Sequence, residues 1–467
     1  MKNSEIRRFG SRDKLGYLLG DLGNDFTFIL SSSFLLKFYT DVMHVSAGVV
    51  GLVMMLARLV DGVTDVTMGR ICDKSGITKN GKFKPWLLRM CVPVAISSFL
   101  IYQSSFRDYS LAFRVGWLVV TYLLWGSVFY TSINIPYGSM ASSISADPSD
   151  RQSLSTYRSM GSTLAGVIIG AGIPLLAYDT REDGGAAVAE LNGGRFTLIA
   201  GVFSLLAIAA YIGCYLLTTE RVHSERPKGE AHPTVARMLS SALKNRALLS
   251  IIAASVIMLL SQFTLQQMAN YVYPDYYANT SAQSASTVAM MASMLIAAGA
   301  AKPLVERFGK AEISAVSSLF AAAVSLLLFF VRPKNVWVYV FLNSFSWLGL
   351  GVFTMVSWAL ITDVIDHSEL KNGIREDGSI YAMYSFARKL GQAAAAGLTG
   401  LLLTLIGYEK VEGAQLADTV KEGIFSVSTV VPAIGFALLA AVLFFWYPLR
   451  KGRVDENVRL LEERRGG

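Results

Sequence analysis

GLVMMLARLVDGVTDVTMGRI, residues 51–71, is long and apolar enough to cross a lipid bilayer, yet it carries two aspartates, Asp61 and Asp65. A spanning helix needs about 20 apolar residues. Placing a charge at the bilayer centre costs roughly 2.5–3.5 kcal/mol on insertion scales, and such groups tend to line ion pathways and relays. Positions four apart share one face of a helix, so the two carboxylates project side by side toward whatever the helix packs against. Two acids this close do not both stay ionised cheaply: either a cation bridges them or one holds a proton. Both are states of a cation-coupled carrier. An ion pair with Arg58, or with a basic residue on another helix, is the structural alternative.

Outward from this stretch, the 467 residues are 53% hydrophobic and 16% charged, with a mean hydropathy of +0.44. These values indicate a polytopic membrane protein rather than a string of soluble domains. The polar, basic start MKNSEIRRFGSRDK precedes an apolar span too long for a signal sequence and without a small-residue cleavage site, so the first helix is expected to be retained. Cys72, Cys91 and Cys214 are widely spaced, which supports neither a disulfide framework nor a thiolate metal site. The net charge of +8 is spread over short connections, which speaks for topology and against nucleic acid as a partner.

Apolar stretches place twelve helices near 15–41, 47–71, 86–105, 113–140, 154–178, 195–218, 247–273, 282–303, 312–331, 336–365, 379–406 and 423–447. The N-terminal segment and the loops at 72–84, 219–246 and 304–311 are rich in Lys and Arg, whereas 42–46 and 274–281 have neither, so both termini are expected in the cytoplasm. The expected organisation is a six-helix bundle over 1–218, a cytoplasmic linker over 219–246, a second bundle over 247–448 and a cytoplasmic tail over 449–467. The halves echo each other. Asp73, Lys74 and Gly76 follow the second span, and Glu306, Arg307 and Gly309 follow the eighth. Internal duplication marks transporter folds, including the two halves of the major facilitator superfamily. The acid-base-x-Gly turn resembles that superfamily's loop signature and is expected to latch helices during gating. Thr362, Asp363, Asp366 and His367 end the tenth span, where Asp363 and Asp366 are further gate candidates or solvated helix-end groups.

Other polar residues inside the spans complete the candidate site. Asp21 and Asp25 share a face of the first span: Asp21 lies nearer the end and reads as solvated or capping, while Asp25 is placed to hydrogen-bond a ligand. In the fourth span Tyr130, Thr131 and Asn134 precede Pro136, and their hydroxyl and amide groups suit a sugar or a hard cation. Pro136 also frees a backbone carbonyl. Arg158 in the fifth span and Arg388-Lys389 in the eleventh are the cations expected to face inward, balancing the acids or gripping an anionic ligand. Among the aromatics Tyr130, Tyr137, Trp358, Tyr381 and Tyr384, sequence does not single out a sugar-stacking ring.

The blocks KFYTDV (37–42), ARLVDGVTDVTMGRICD (57–73), GKFKPW (81–86), NIPYGSM (134–140) and ITDVIDHSELKNGIREDGSIYAMYSFARK (361–389) resemble the glycoside-pentoside-hexuronide:cation symporter family, from about residue 14 to the twelfth span. The resemblance implies a major-facilitator bundle that couples glycoside uptake to Na+, Li+ or H+. By the same resemblance Asp61 and Asp65 form the core of the cation site, with Thr131 supplying a hydroxyl. Asp25, Arg158 and Lys389 then fall where the sugar-binding acid and nearby basic residues are found. Two departures matter. The melibiose permease branch of the family has an aspartate where this chain has Asn134, and a stacking tryptophan where it has Gly138. A galactoside is therefore not the expected substrate, and proton coupling carries equal weight with sodium. The Arg388-Lys389 pair favours an acidic sugar.

The expected protein is thus an all-α, twelve-helix secondary transporter of the bacterial inner membrane, working as a monomer with no cofactor besides its coupling ion, Na+ or H+. It binds one monovalent cation at Asp61 and Asp65, with Thr131 and Asn134 assisting, and a glycoside between its halves. A carrier of lysolipid-like amphiphiles and a membrane sugar sensor are the rival readings. Four scattered histidines, with no nucleophile motif and no metal spacing, argue against an enzyme.

Overall fold

The computed structural model describes residues 7–183, 186–222, 245–372, 377–410 and 416–466. Most of the expected linker, 223–244, lies outside the described residues. Two compact units divide the chain: residues 1–228 with 407–416, and 229–406 with 417–467.

The first unit contains α1 (Ser11–Asp41), α2 (Ala47–Lys74), α3 (Lys84–Ile101), α4 (Leu111–Ile144), α5 (Pro148–Leu176) and α6 (Gly193–Leu217). The second contains α7 (Arg246–Tyr276), α8 (Thr280–Phe308), α9 (Lys310–Val331), α10 (Val336–Asn372), α11 (Asp377–Leu405), α12 (Asp418–Trp446) and α13 (Lys451–Gly466). α1 to α12 match the twelve expected spans one for one, with ends that differ by at most seven residues. Ten of these helices are long and apolar enough to cross a membrane. The two that fall short, α1 and α11, hold the in-span charges Asp21, Asp25 and Lys37, and Arg388 and Lys389. On α2, Leu52, Leu56, Leu59, Val63 and Val66 recur at spacings of three and four, and all are exposed. A continuous apolar stripe of that kind suits hydrocarbon, while the opposite face of the same helix buries Met54, Ala57, Met68 and Cys72.

Internal packing repeats from unit to unit. α1 packs mainly on α5 and α6, and α7 mainly on α11 and α12. α3 packs on α6 as α9 packs on α12, and α2 on α4 as α8 on α10. Small residues permit the closest approach: a Cβ at Gly161 of α5 would sit 2.5 Å from the Leu18 carbonyl oxygen of α1.

Three features depart from the sequence expectation. Between α5 and α6 the chain forms an antiparallel hairpin, β1 (Tyr178–Asp183) with β2 (Ala186–Leu191), in a fold expected to be all-α. The tail is helical over α13. The first residues of the expected linker are docked: the buried Glu220 carboxylate accepts the Lys82, Phe83 and Lys84 amides at 2.9, 2.9 and 2.7 Å. Gly81 makes this possible, since it adopts φ +107° and a Cβ there would fall 2.5 Å from Glu220 Cδ. Arg221 reaches Asp13 at 2.9 Å, and Arg7 reaches the same fully buried carboxylate at 2.8 Å.

The first unit also takes in residues 407–416, from the connection after α11. Lys37 Nζ lies 2.8 Å from Asp41 Oδ2 and donates to the Tyr408 hydroxyl at 2.9 Å, which donates in turn to Asp41 Oδ1 at 2.8 Å. Lys410 Nζ donates to the Ala189 carbonyl of β2 at 3.1 Å and stands 3.9 Å from Asp41. The Lys37 and Asp41 side chains are 0% and 2% exposed, so this ion cluster has no water to fall back on.

Candidate functional site

The centre of α4 is not α-helical. Residues Leu124–Tyr130 form a π turn, in which the Thr131 amide reaches back five residues to the Gly126 carbonyl. π turns are frequent at functional sites because the widened turn re-aims backbone and side-chain groups. Here it brings Ser127 and Thr131, one turn apart, against α2. The Ser127 hydroxyl donates to Asp61 Oδ1 at 2.6 Å, and the Thr131 hydroxyl donates to Asp65 Oδ1 at 2.9 Å. Thr131 Oγ1 also lies 3.2 Å from the Gly126 carbonyl oxygen. Two carboxylates, two hydroxyls and one carbonyl are thereby gathered in a single patch, an all-oxygen set suited to a hard cation.

Arg58, one turn before Asp61, realises part of the ion-pair alternative. Its Nη1 donates to Asp61 Oδ2 at 3.2 Å, a single contact rather than a bidentate grip. The guanidinium lies over the Phe28 ring at 4.8 Å, and Phe28 stacks on Tyr130 at 5.6 Å. The patch thus sets two acids and one base, Arg58, on successive turns of α2.

A second polar cluster occupies the same unit. Arg158 Nε donates to Asp21 Oδ1 at 2.9 Å, and Asp21 is 5% exposed. The expectation of a solvated or capping Asp21 is therefore wrong: α5 delivers a guanidinium from 137 residues away, a pairing that local sequence does not show. The guanidinium also covers the Tyr137 ring at 5.4 Å, and Tyr137 stacks on Tyr17 at 4.6 Å. A Cβ at Gly138 would stand 3.9 Å from Arg158 Nη1. Asp25 is half-buried one turn along α1 from Asp21. Asn134 accepts from Asn24 Nδ2 at 3.5 Å, the long end of hydrogen bonding, and Asn24 accepts from the Tyr211 hydroxyl at 2.8 Å. The structure thus brings Asp61, Asp65 and Thr131 together and gives Asn134 a described bond to Asn24 instead. Sequence reasoning missed Ser127, Asn24 and Tyr211. For Ser127 a signal existed, since it lies four residues before Thr131 on the same helix.

In the second unit, Arg388 lies over the rings of Trp358 at 5.5 Å and Tyr384 at 5.8 Å. Its Nη1 is buried without a hydrogen-bond partner among the described residues. Tyr384 is fixed by a bond from Ser255 at 2.8 Å. Lys389 is exposed, and the Tyr381 side chain lies outside the described residues. Asp73, Lys74, Glu306 and Arg307 are all exposed at helix ends. Lys82 Nζ donates to the Asp73 carbonyl at 3.0 Å, and Lys451 Nζ donates to the carbonyls of Glu306 and Arg307 at 2.7 and 3.1 Å. Asp363 pairs with Lys310 at 2.5 Å, and Asp366 is half-buried one turn on. Among the described residues no group of three or more His, Cys, Asp or Glu is arranged to hold a metal ion.

Residues 16–451 match the family described as MFS/sugar transport protein. The chain is 29% identical over 462 residues to an uncharacterized symporter, YjmB, of Bacillus subtilis (strain 168), covering 98% of this chain and 96% of that one. It is 30% identical over 459 residues to a glucuronide carrier protein homolog of Escherichia coli (strain K12), covering 97% and 96%. In fold it resembles a bacterial homolog of the human lysosomal transporter Spinster, solved inward-facing and unoccupied, with a TM-score of 0.68 at 12% identity over 96% and 97% of the two chains. The chain belongs to the MFS/sugar transport protein family, with twelve membrane-spanning helices in two pseudo-symmetric six-helix bundles.

Proposed function

We propose that this protein imports an acidic glycoside, a hexuronide, together with one Na+ ion. It is a secondary transporter and not an enzyme. The observation that carries the ion's identity is the oxygen set of Asp61, Asp65, Ser127, Thr131 and the Gly126 carbonyl. A proton needs one acceptor, whereas a bare Na+ replaces its water shell with several oxygens.

Coupling follows from α4. Thr131 and Asn134 are three residues apart, about 4.5 Å of helix rise. A cation that draws α2 and α4 together therefore also fixes the turn bearing Asn134 and Tyr137, next to Asn24, Asp25 and Arg158. The two ligands favour one another by a reciprocal coupling free energy, and alternating access exposes them to each side in turn. For the sugar, the first unit offers Asp25, Asn24, Asn134, Tyr130 and Arg158. Within the second unit, Arg388 has a buried Nη1 without a hydrogen-bond partner among the described residues and is the group we assign to an acidic ligand, with Lys389 adding positive charge. Asn134 removes an anion that would repel an acidic substrate. The similarity to a glucuronide carrier homolog supports that choice. Gating is assigned to Asp73, Lys74, Glu306, Arg307, Asp363 and Asp366 at the helix ends. The protein works as a monomer in the bacterial inner membrane with both termini in the cytoplasm, as the basic loops indicate. The amphiphile carrier and the sugar sensor gain no support from relatives named as symporter and carrier.

Sugar uptake into vesicles with imposed Na+ and H+ gradients tests this. Accumulation driven by Na+ and abolished by Asp61→Cys or Asp65→Cys is expected. Accumulation that ignores the Na+ gradient, or survives both substitutions, would overturn it.

A further inference from the structure

The second unit holds a cavity of about 750 Å³ between the end of α10 and α13, and none of its lining residues is assigned to sugar or ion. Both walls are fixed. The Lys451 amide at the start of α13 donates to Glu312 Oε1 at 3.0 Å, and its Nζ caps the last carbonyls of α8. Further along α13, the buried Asn457 meets His367 Nδ1 of α10 at 3.4 Å. A helix as polar as KGRVDENVRLLEERRG is thereby held in place by hydrogen bonds, and the concave space beside it persists.

The lining is cationic. α10 contributes Lys371, and α13 contributes Arg453 and Arg464 against a single acid, Glu463. Arg453 is bound to Glu456 at 2.7 Å, and Glu463 stands 3.8 Å from Arg459. Lys371 and Arg464 have no ion pair among the described residues, and both are exposed. Like charges facing one cavity repel unless an anion sits between them. Guanidinium and ammonium groups with further donors at His367 and Asn457 match the geometry of a phosphate oxyanion. We infer that this cavity binds a phosphate group. Two sources share that chemistry: the headgroup of an acidic phospholipid, because α10 leaves its apolar span here, and a soluble phosphate ester. Basic pockets beside membrane helices hold lipid headgroups in this way. The site is independent of the transport reading.

The test uses the full chain. Thermal unfolding in detergent is followed with glycerol phosphate against chloride at equal ionic strength, and native mass spectrometry follows titration with phosphatidylglycerol against phosphatidylcholine. The wild type is expected to prefer the anion in at least one arm. The double variant Lys371→Gln/Arg464→Gln should lose about tenfold or more in apparent affinity, and Lys371→Arg/Arg464→Lys should restore it. A response to the ester alone assigns a soluble ligand, and a response to phosphatidylglycerol alone assigns a headgroup. No preference in either arm, or equal binding by wild type and the Gln variant, overturns the inference. Should the double variant misfold, Arg464→Gln alone at the exposed end of α13 gives the same reading.

Discussion

Removing one oxygen from α4 isolates the ion site from everything else the helix does. Ser127→Ala deletes a hydroxyl that is 5% exposed and 2.6 Å from Asp61 Oδ1, and leaves no void larger than the lost atom. A hydrogen bond to a charged group is worth about 1.5–3 kcal/mol. Part of this cancels in ion binding, because the empty protein loses the same hydroxyl as a donor that the loaded protein loses as a ligand. A net loss of about 1.4 kcal/mol remains, a tenfold rise in the Na+ concentration that half-activates uptake. Sugar uptake measured across a Na+ series gives this directly. Maximal uptake at saturating Na+ should stay near wild type, since the sugar-side groups Asn24, Asn134 and Arg158 are untouched. Ser127→Thr, which keeps the hydroxyl, should behave like wild type. A half-activating Na+ concentration unchanged in Ser127→Ala, with normal expression and folding, would refute the claim that Ser127 is a ligand.

Further outcomes follow from the other clusters. Asp41→Asn leaves Lys37 and Lys410 buried around a neutral amide, and breaking a buried pair from one side costs about 3–5 kcal/mol. Unfolding followed by dye labelling of the buried free thiols Cys72, Cys91 and Cys214 should begin at clearly lower temperature, and an unchanged midpoint would show the cluster to be energetically idle. Arg388→Gln should depress uptake of acidic glycosides far more than of neutral ones, whereas equal effects on both would remove the carboxylate assignment. Outside the membrane, Asp147 caps α5 by accepting the Ser149 amide at 2.7 Å, a bond that lowers its pKa below the usual 3.8. A pKa depressed by folding stabilises above the unfolded value and ceases to as pH falls through the folded one. Wild type should therefore exceed Asp147→Ala in unfolding midpoint at neutral pH, with the gap closing well below 3.8.

The sequence made most of the membrane helices legible through their own apolar length, and it exposed Asp61 and Asp65 because a carboxylate in such a stretch is costly unless an ion or a base meets it. What it hid were pairings that depend on the folded chain. Ser127 sits in LLWGSVFY, four residues before Thr131, but nothing in that run announces the π turn that aims its hydroxyl at Asp61. Asp21 reads as a helix-end group and Arg158 as an inward cation whose partner the sequence does not name, and only the close passage of α1 and α5 at Gly161 brings them to 2.9 Å. Likewise Tyr408 and Lys410 read as loop residues until they are seen around Asp41. The hairpin of β1 and β2 was missed because its strands, YDTRED and AAVAEL, hold only Tyr178, Thr180 and Val188 of the aromatic and β-branched types by which strands are recognised.

The oxygen set between α2 and α4 either holds Na+ or it does not, and calorimetric titration of Na+ into the purified protein decides this without any sugar. The expected result is saturable binding of one ion per chain that vanishes in Asp61→Asn/Asp65→Asn, while the folded state survives. Saturable binding that persists in the double variant, or none at all in a wild-type protein active in uptake, would contradict the account.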